Sequence, residues 1–224
     1  MRGIKGEVKK KIVKRKFRGF ISFEGIEGSG KSTQAKLLAQ YLRRNGYGVL
    51  TTEEPGGTEI GHKIRAILLD TAHKHMSPLT ELLLYNASRA QHIKEVIEPA
   101  LAKGIIVITD RFFDSTVAYQ GYGRGINPAL IKAIDKVSTH NLKPDITFLL
   151  DLNVEEGLKR NMGARKEDRF EAEDIEFHKK VRQGYMKIAR EEPDRVQIID
   201  AYGSRQTVHE RIKEKIKKIW LSEI

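Results

Sequence analysis

The stretch Gly25-Ile26-Glu27-Gly28-Ser29-Gly30-Lys31-Ser32 decides how this chain is read. It fits G-x-x-x-x-G-K-[ST], a loop whose backbone N–H groups surround phosphate oxygens when it joins a strand to a helix. Both neighbours are present. Residues 20–23 are a short apolar run, and residues 33–44 place Leu37, Leu38, Tyr41 and Leu42 at helical spacing before Asn45-Gly46 stops them. Glycines 25, 28 and 30 admit backbone conformations that a Cβ would block. A helix beginning at Lys31 adds the positive end of its dipole and its unpaired N–H groups at the same spot. The Lys31 ammonium is then expected on the β and γ phosphates and the Ser32 hydroxyl on Mg²⁺. Residues Gly25, Ile26, Glu27, Gly28, Ser29, Gly30, Lys31, Ser32 and Thr33 are therefore the expected contacts of a nucleoside triphosphate.

The 224 residues suffice for one α/β domain with a substantial core, and no linker divides them. No window approaches ~18 uninterrupted apolar residues, and the N-terminus lacks the apolar segment of a secretory signal, which predicts a soluble, cytoplasmic protein. With no cysteine in the chain, disulfides and thiolate metal sites are excluded. The formal charge of +11 is lopsided, because residues 1–18 hold nine Lys or Arg against Glu7 alone and so carry +8 of it. Such runs are usually solvated, so residues 1–18 read as a flexible basic tail, and nucleic acid is not expected as a partner.

Beyond the first helix the pattern keeps alternating. Residues 47–52 read as a strand, and after Pro55-Gly56-Gly57 the residues Ile60, Ile64, Ile67 and Leu68 repeat at helical spacing. Ser77-Pro78 opens a long helix running to Lys103-Gly104, which Pro99 should kink or split. Residues 105–108 are continuously apolar, as in a strand buried on both faces, and Asp110-Arg111 follows at once. Asn127-Pro128 opens another helix, residues 146–152 form a fourth strand, and Asn153 caps a short helix. A helix over about 174–191, a fifth strand at 196–200 and a last helix from Ser204 complete the chain. Strands alternating with helices predict a doubly wound α/β fold: a mostly parallel five-stranded sheet, helices on both faces, and ligands beyond the carboxyl ends of the strands.

Those strand ends are where chemistry is sought. Asp110 can ligate Mg²⁺ through water or orient Arg111, and Arg111 can hold a phosphate bidentately. Five bases (Lys159, Arg160, Arg165, Lys166, Arg169) crowd residues 158–171, which read as a lid at about 161–172. Phosphoryl transfer needs donor and acceptor held in line with their charge neutralised, and arginines on a lid supply that while excluding water. Tyr85 and Arg89 share a helical face, so one could stack on a base while the other donates to it; a packed tyrosine beside a surface arginine would leave the same pattern. Residues 115–121, Ser-Thr-Val-Ala-Tyr-Gln-Gly, bring hydroxyls and an amide to the same end. The seven histidines show no metal-ligand spacing, and Asn141-Leu142-Lys143-Pro144-Asp145 departs from the N-K-x-D guanine motif by an inserted Leu.

Taken together, Phe23-Glu24-Gly25 with the loop, Glu54-Pro55-Gly56-Gly57-Thr58, Asp110-Arg111-Phe112, residues 115–121 and Asp168-Arg169-Phe170 resemble the thymidylate kinase family, in order, from about residue 19 to the end. The resemblance implies phosphorylation of dTMP to dTDP by ATP with Mg²⁺, a five-stranded parallel sheet and a homodimer. It implies that Tyr85 stacks on thymine, that Arg89 donates to a thymine carbonyl, and that Arg111 holds the acceptor phosphate. Ser115, Thr116 and Gln120 then lie near base and sugar, Tyr119 crowds the ribose 2′ position, and Glu27 lies near the 3′-hydroxyl. Because Gly28 stands where some members carry a loop arginine, the resemblance moves the catalytic arginine to the lid, to Arg165 or Arg169. Ser32 and Asp110 are the expected metal contacts. One departure is plain: the family reads Arg-Glu-Pro-Gly-Gly, whereas Glu53 precedes Glu54 here, so Glu53 must turn away or another base must compensate. The alternatives are a kinase for another monophosphate such as dUMP or dCMP, and a nonenzymatic nucleotide-binding protein with a polyanion-binding tail.

Overall fold

Strand β1 (Phe20–Glu24) runs into the glycine-rich loop and helix α1 (Lys31–Arg44), the order the loop motif demands. The computed structural model describes residues 19–161 and 168–220, so the basic tail and lid positions 162–167, Arg165 included, lie outside the described residues. Four further strands, β2 (Val49–Glu53), β3 (Ile106–Asp110), β4 (Ile146–Asp151) and β5 (Val196–Asp200), join β1 in the order β2-β3-β1-β4-β5. Every pairing is parallel, with Ile21 opposite both Ile108 and Ile146. The chain builds toward β2 first and then crosses β1 toward β5. The crevice beside the end of β1 is therefore the switch point, and the glycine-rich loop starts there.

Side-chain alternation assigns the two faces of the sheet. Ile21, Phe23, Ile106, Ile108, Phe148 and Leu150 point one way and pack against Leu38 and Leu42 of α1 and Val208, Ile212 and Ile216 of α9 (Arg205–Trp220). Phe20 and Val107 point the other way, onto Ile93, Ile97 and Ala100. Leu149 and Val196 on that second face meet Val181, Tyr185 and Ile188 of α8 (Ile175–Glu191). Burying each such side chain contributes ~1.5–3 kcal/mol. The second face also carries Ser22, Glu24, Thr109 and Thr147, all fully buried at the centre of the sheet.

The remaining helices are α2 (Glu59–Leu69), α3 (Pro78–His92), α4 (Glu98–Ala102), α5 (Phe113–Thr116), α6 (Pro128–Thr139) and α7 (Val154–Asn161). Their starts follow local chemistry: Ser77 accepts from the Thr80 N–H, Asn127 from Ala129, Asn153 from Glu156 and Asp174 from Phe177. The expected long helix after Ser77 is interrupted where Pro99 predicts it. A π-helical turn at Ile93–Ile97 separates α3 from α4, because proline offers no N–H and its ring crowds the carbonyl four residues back. A second π-helical turn, Val117–Gly123, follows α5 and was not foreseen. Among the described residues no helix is long and apolar enough to cross a membrane.

Candidate active site

The carboxyl ends of β1 and β3, the loop after β1, and α3, α5 and α7 surround a cleft of about 740 Å³. The loop forms its floor. Gly28 has φ +71°, and a Cβ there would sit 2.0 Å from the Gly157 carbonyl oxygen of α7. Gly157 in turn could not carry a Cβ, which would fall 2.6 Å from the Glu27 carbonyl. Loop and α7 thus touch backbone to backbone, and Gly157 is a site residue that sequence reasoning missed; a glycine in the first half of a short, charged helix was the available signal.

Lys31 opens α1 and folds back so that its Nζ donates to the Ile26 carbonyl at 2.8 Å. Burial, followed by the nearby Arg111 charge, pushes this ammonium down to about 8. Ser32 donates a hydrogen bond to Asp110 Oδ2, while Asp110 Oδ1 is buried with no partner among the described residues. A hydroxyl beside a carboxylate oxygen that nothing satisfies is a donor set suited to a hard divalent cation. Ser29 and Thr116 also bury hydroxyls without partners among the described residues, and both residues line the cleft.

Arg111 sits just past β3 with φ +70°, a left-handed conformation that strains a residue with a long side chain. The twist turns its guanidinium back across the loop. Nη2 donates to Glu27 Oε1 at 2.8 Å and to the Tyr119 hydroxyl at 3.1 Å. Nη1 donates to the Gly25 carbonyl at 3.1 Å, Ser115 Oγ at 3.2 Å and the Tyr185 hydroxyl at 3.1 Å. Tyr119 donates to Glu27 at 2.6 Å. Burial opposes the charge on Glu27, but Arg111, the nearby His178 with Nδ1 3.7 Å away, Lys31 and Tyr119 together hold it well below the usual carboxylate range.

Of the residues expected from sequence, Glu27, Gly28, Ser29, Gly30, Lys31, Ser32, Thr33, Tyr85, Asp110, Arg111, Ser115, Thr116, Tyr119 and Gln120 all border this one cleft. Gly25 and Ile26 contribute carbonyls to it, on Arg111 and Lys31. Two arginines go elsewhere. Arg89 was expected to donate to a base, yet its guanidinium is 1 % exposed and bound to Glu54 at 2.7 Å and Asp135 at 3.3 Å. Arg169 was expected over the phosphates, yet it is buried, with Nη1 2.6 Å from Glu81 and Nε on the Leu68 carbonyl at 3.0 Å. The reason is the same in both: a buried acid on or beside α3 takes the charge. Arg160 of α7, by contrast, borders the cleft, as do Asn161 and Asp168.

Glu53 does not turn away. It lines the cleft, and Arg65 of α2 compensates, with Nη1 3.8 Å from the Glu53 carboxylate and 2.8 Å from the Pro55 carbonyl.

Comparison with known proteins agrees with this geometry. The family model for thymidylate kinase matches residues 23–212. A thymidylate kinase of Geotalea uraniireducens is 55 % identical over 188 residues, covering 81 % of this chain and 88 % of its own. One from Caldanaerobacter subterraneus is 48 % identical over 199 residues, covering 89 % and 95 %. The crystal structure of Ehrlichia chaffeensis thymidylate kinase superposes with a TM-score of 0.74 at 36 % identity, over 88 % of this chain and 97 % of that one.

Proposed function

This chain belongs to the thymidylate kinase family, and on that premise we propose how its cleft divides the work of phosphorylating dTMP with ATP. The enzyme is a nucleoside monophosphate kinase, and its relatives do not favour another acceptor or a nonenzymatic role. Lys31 and the amides of residues 25–33 hold the triphosphate; Arg111 holds the 5′-phosphate of dTMP. Tyr85 stacks on the base, with Ser115, Thr116 and Gln120 around base and sugar, and Tyr119 and Glu27 close the deoxyribose side. What carries this reading is that Lys31 and Arg111 line one cleft.

In-line attack then needs no general base, since a phosphate monoester with second pKa of about 6 is already largely ionised at neutral pH. Ser32 and Asp110 are the residues that would hold Mg²⁺ accompanying ATP. When bound, that ion neutralises charge between the β and γ phosphates. On the lid side Arg160 is the described arginine in reach of the cleft, with Arg165 the second candidate for the transferred group. Arg89 serves as the support beneath Glu54 and the base pocket.

Replacement of Arg111 by Lys tests the division. Loss of the planar fork should raise the KM for dTMP ~100-fold while leaving the KM for ATP within about threefold. An equal rise in both would remove Arg111 from the acceptor side.

A further inference from the structure

Behind the glycine-rich loop three oxygens close a triangle. Glu24 Oε2 lies 2.6 Å from Ser115 Oγ and 3.0 Å from the Tyr185 hydroxyl, and the two hydroxyls lie 2.7 Å apart. Each edge has hydrogen-bond length and therefore calls for one hydrogen between its oxygens. Ser115 and Tyr185 bring one each. Burial, with Glu24 next, raises the Tyr185 hydroxyl well above its ordinary range, so that hydrogen stays in place. Arg111 Nη1 approaches both hydroxyls, at 3.2 and 3.1 Å, and donates to their lone pairs without filling the edge between them. An ionised Glu24 brings no hydrogen, and one edge would then press two oxygens together inside the protein. Glu24 Oε1 is already served by the Phe112 N–H at 2.7 Å, which leaves Oε2 to carry the missing proton.

The local charge balance points the same way. Asp114 is held bidentately by Arg195, at 2.6 and 2.7 Å, and Glu27 is held by Arg111 at 2.8 Å. Glu24 is a further buried acid, and the two arginines that face it, Arg111 and Arg89, are already paired, with Glu27 and with Glu54 and Asp135. The charged and titratable groups that face it are Asp114 from α5, Arg111 from the end of β3, Tyr185 from α8, Lys31 from α1 and Arg89 from α3. Burial first, then Asp114, pushes the Glu24 carboxyl up to about 8.

We propose that Glu24 is a neutral carboxylic acid at neutral pH and a positioning residue for Arg111, its proton completing the ring that holds Ser115 and Tyr185 as acceptors for Nη1. The proposal rests on Arg111 holding the acceptor phosphate. Loss of the proton opens the ring and adds a negative charge behind Arg111, opposing the dianionic acceptor. Binding of dTMP therefore weakens as pH rises through the Glu24 transition.

Calorimetric titration of dTMP without ATP, at pH 7 and pH 9.5, in the natural protein and in Glu24→Gln tests this. The Gln amide supplies the ring hydrogen at every pH. The dissociation constant should rise about tenfold or more in the natural protein and less than about threefold in the variant. Lys31 loses its proton over the same range in both, so the contrast between the two proteins is decisive, and equal ratios would overturn the proposal. Infrared difference spectra of the natural protein without nucleotide should show a carboxylic acid C=O band at pH 7 that is gone at pH 9.5 and missing in Glu24→Gln. Absence of that band at pH 7 overturns the proposal even if the variant does not fold. Because no nucleotide is present, that spectrum judges Glu24 independently of where Arg111→Lys places the acceptor.

Discussion

Lys31 shows how one residue links burial to binding. Its ammonium is pushed down to about 8, against an ordinary value of 10.5, because the loop buries it beside Arg111. Triphosphate restores the missing counter-charge, so the bound lysine is protonated over a wider range than the free one. Well below pH 8 almost no proton moves; as pH rises through that value, ATP binding draws a growing fraction of a proton from solvent. The dissociation constant for ATP should therefore rise about tenfold between pH 7 and 9, with proton uptake visible as a dependence of binding enthalpy on buffer. A flat profile would show that Lys31 stays charged without its ligand. The sequence made Lys31, Ser32 and Arg111 legible because a fixed spacing or a strand end delivers them. The ion pairs of Arg89 and Arg169 were not legible, because they depend on acids distant in sequence: Glu54 and Asp135 lie 35 and 46 residues from Arg89, and no local pattern announces such pairs.

Elements set which arginine can move toward the phosphates. Arg160, in the last turn of α7, is tied to Glu156 at 2.9 Å and to the carbonyl of Ala201, itself on the cleft's lining, at 3.2 Å. Arg169 instead binds Glu81 of α3, which Arg124 and Gln120 also contact. Arg160→Ala should cut kcat ~10³-fold and leave thermal stability nearly intact. Arg169→Ala should do the reverse. It leaves a buried carboxylate with weaker company, costing up to about 3 kcal/mol, or ~10 °C in Tm, while kcat stays within about tenfold. A large kcat loss at unchanged Tm would restore Arg169 to the chemistry. The contact between loop and α7 makes a sharper test. Gly28→Ala, at φ +71° and facing the Gly157 carbonyl, should cost ~2 kcal/mol or more and abolish ATP binding. Helix starts were legible from their caps, whereas the π-helical turn at Val117–Gly123 was not, because it holds no proline and its glycines, 121 and 123, come only at its end.

Across the whole molecule, charge and apolar surface are segregated. Alternating periodicity sufficed to foresee a parallel sheet, but the strand order β2-β3-β1-β4-β5 depends on which helices cover which face, and that is not written in any one segment. Residues 1–18 hold +8 of the +11 formal charge and precede the first strand. Removing residues 1–17 should leave kcat/KM within about twofold, since long-range attraction beyond ~8 Å is screened at physiological salt. The apolar surface predicts more. Ile60 and Ile67 on α2, Leu79 and Leu83 on α3, and Leu130 and Val137 on α6 are all exposed, Val137 by 74 %. Each pair is spaced to share one side of its helix, and α3 packs against both α2 and α6. Six such side chains on adjoining helices form a face that water disfavours and that a second copy, presenting the same face across a twofold axis, would cover. This supports the homodimer that the family resemblance implies. Paired Leu79→Glu and Leu83→Glu substitutions place four carboxylates at the centre of such an interface, and sedimentation should give a dimer for the natural chain and a monomer for the variant. Because α3 also carries Tyr85 to the cleft, the monomer should bind dTMP more weakly than the dimer; equal sedimentation of the two proteins would remove this face as the interface.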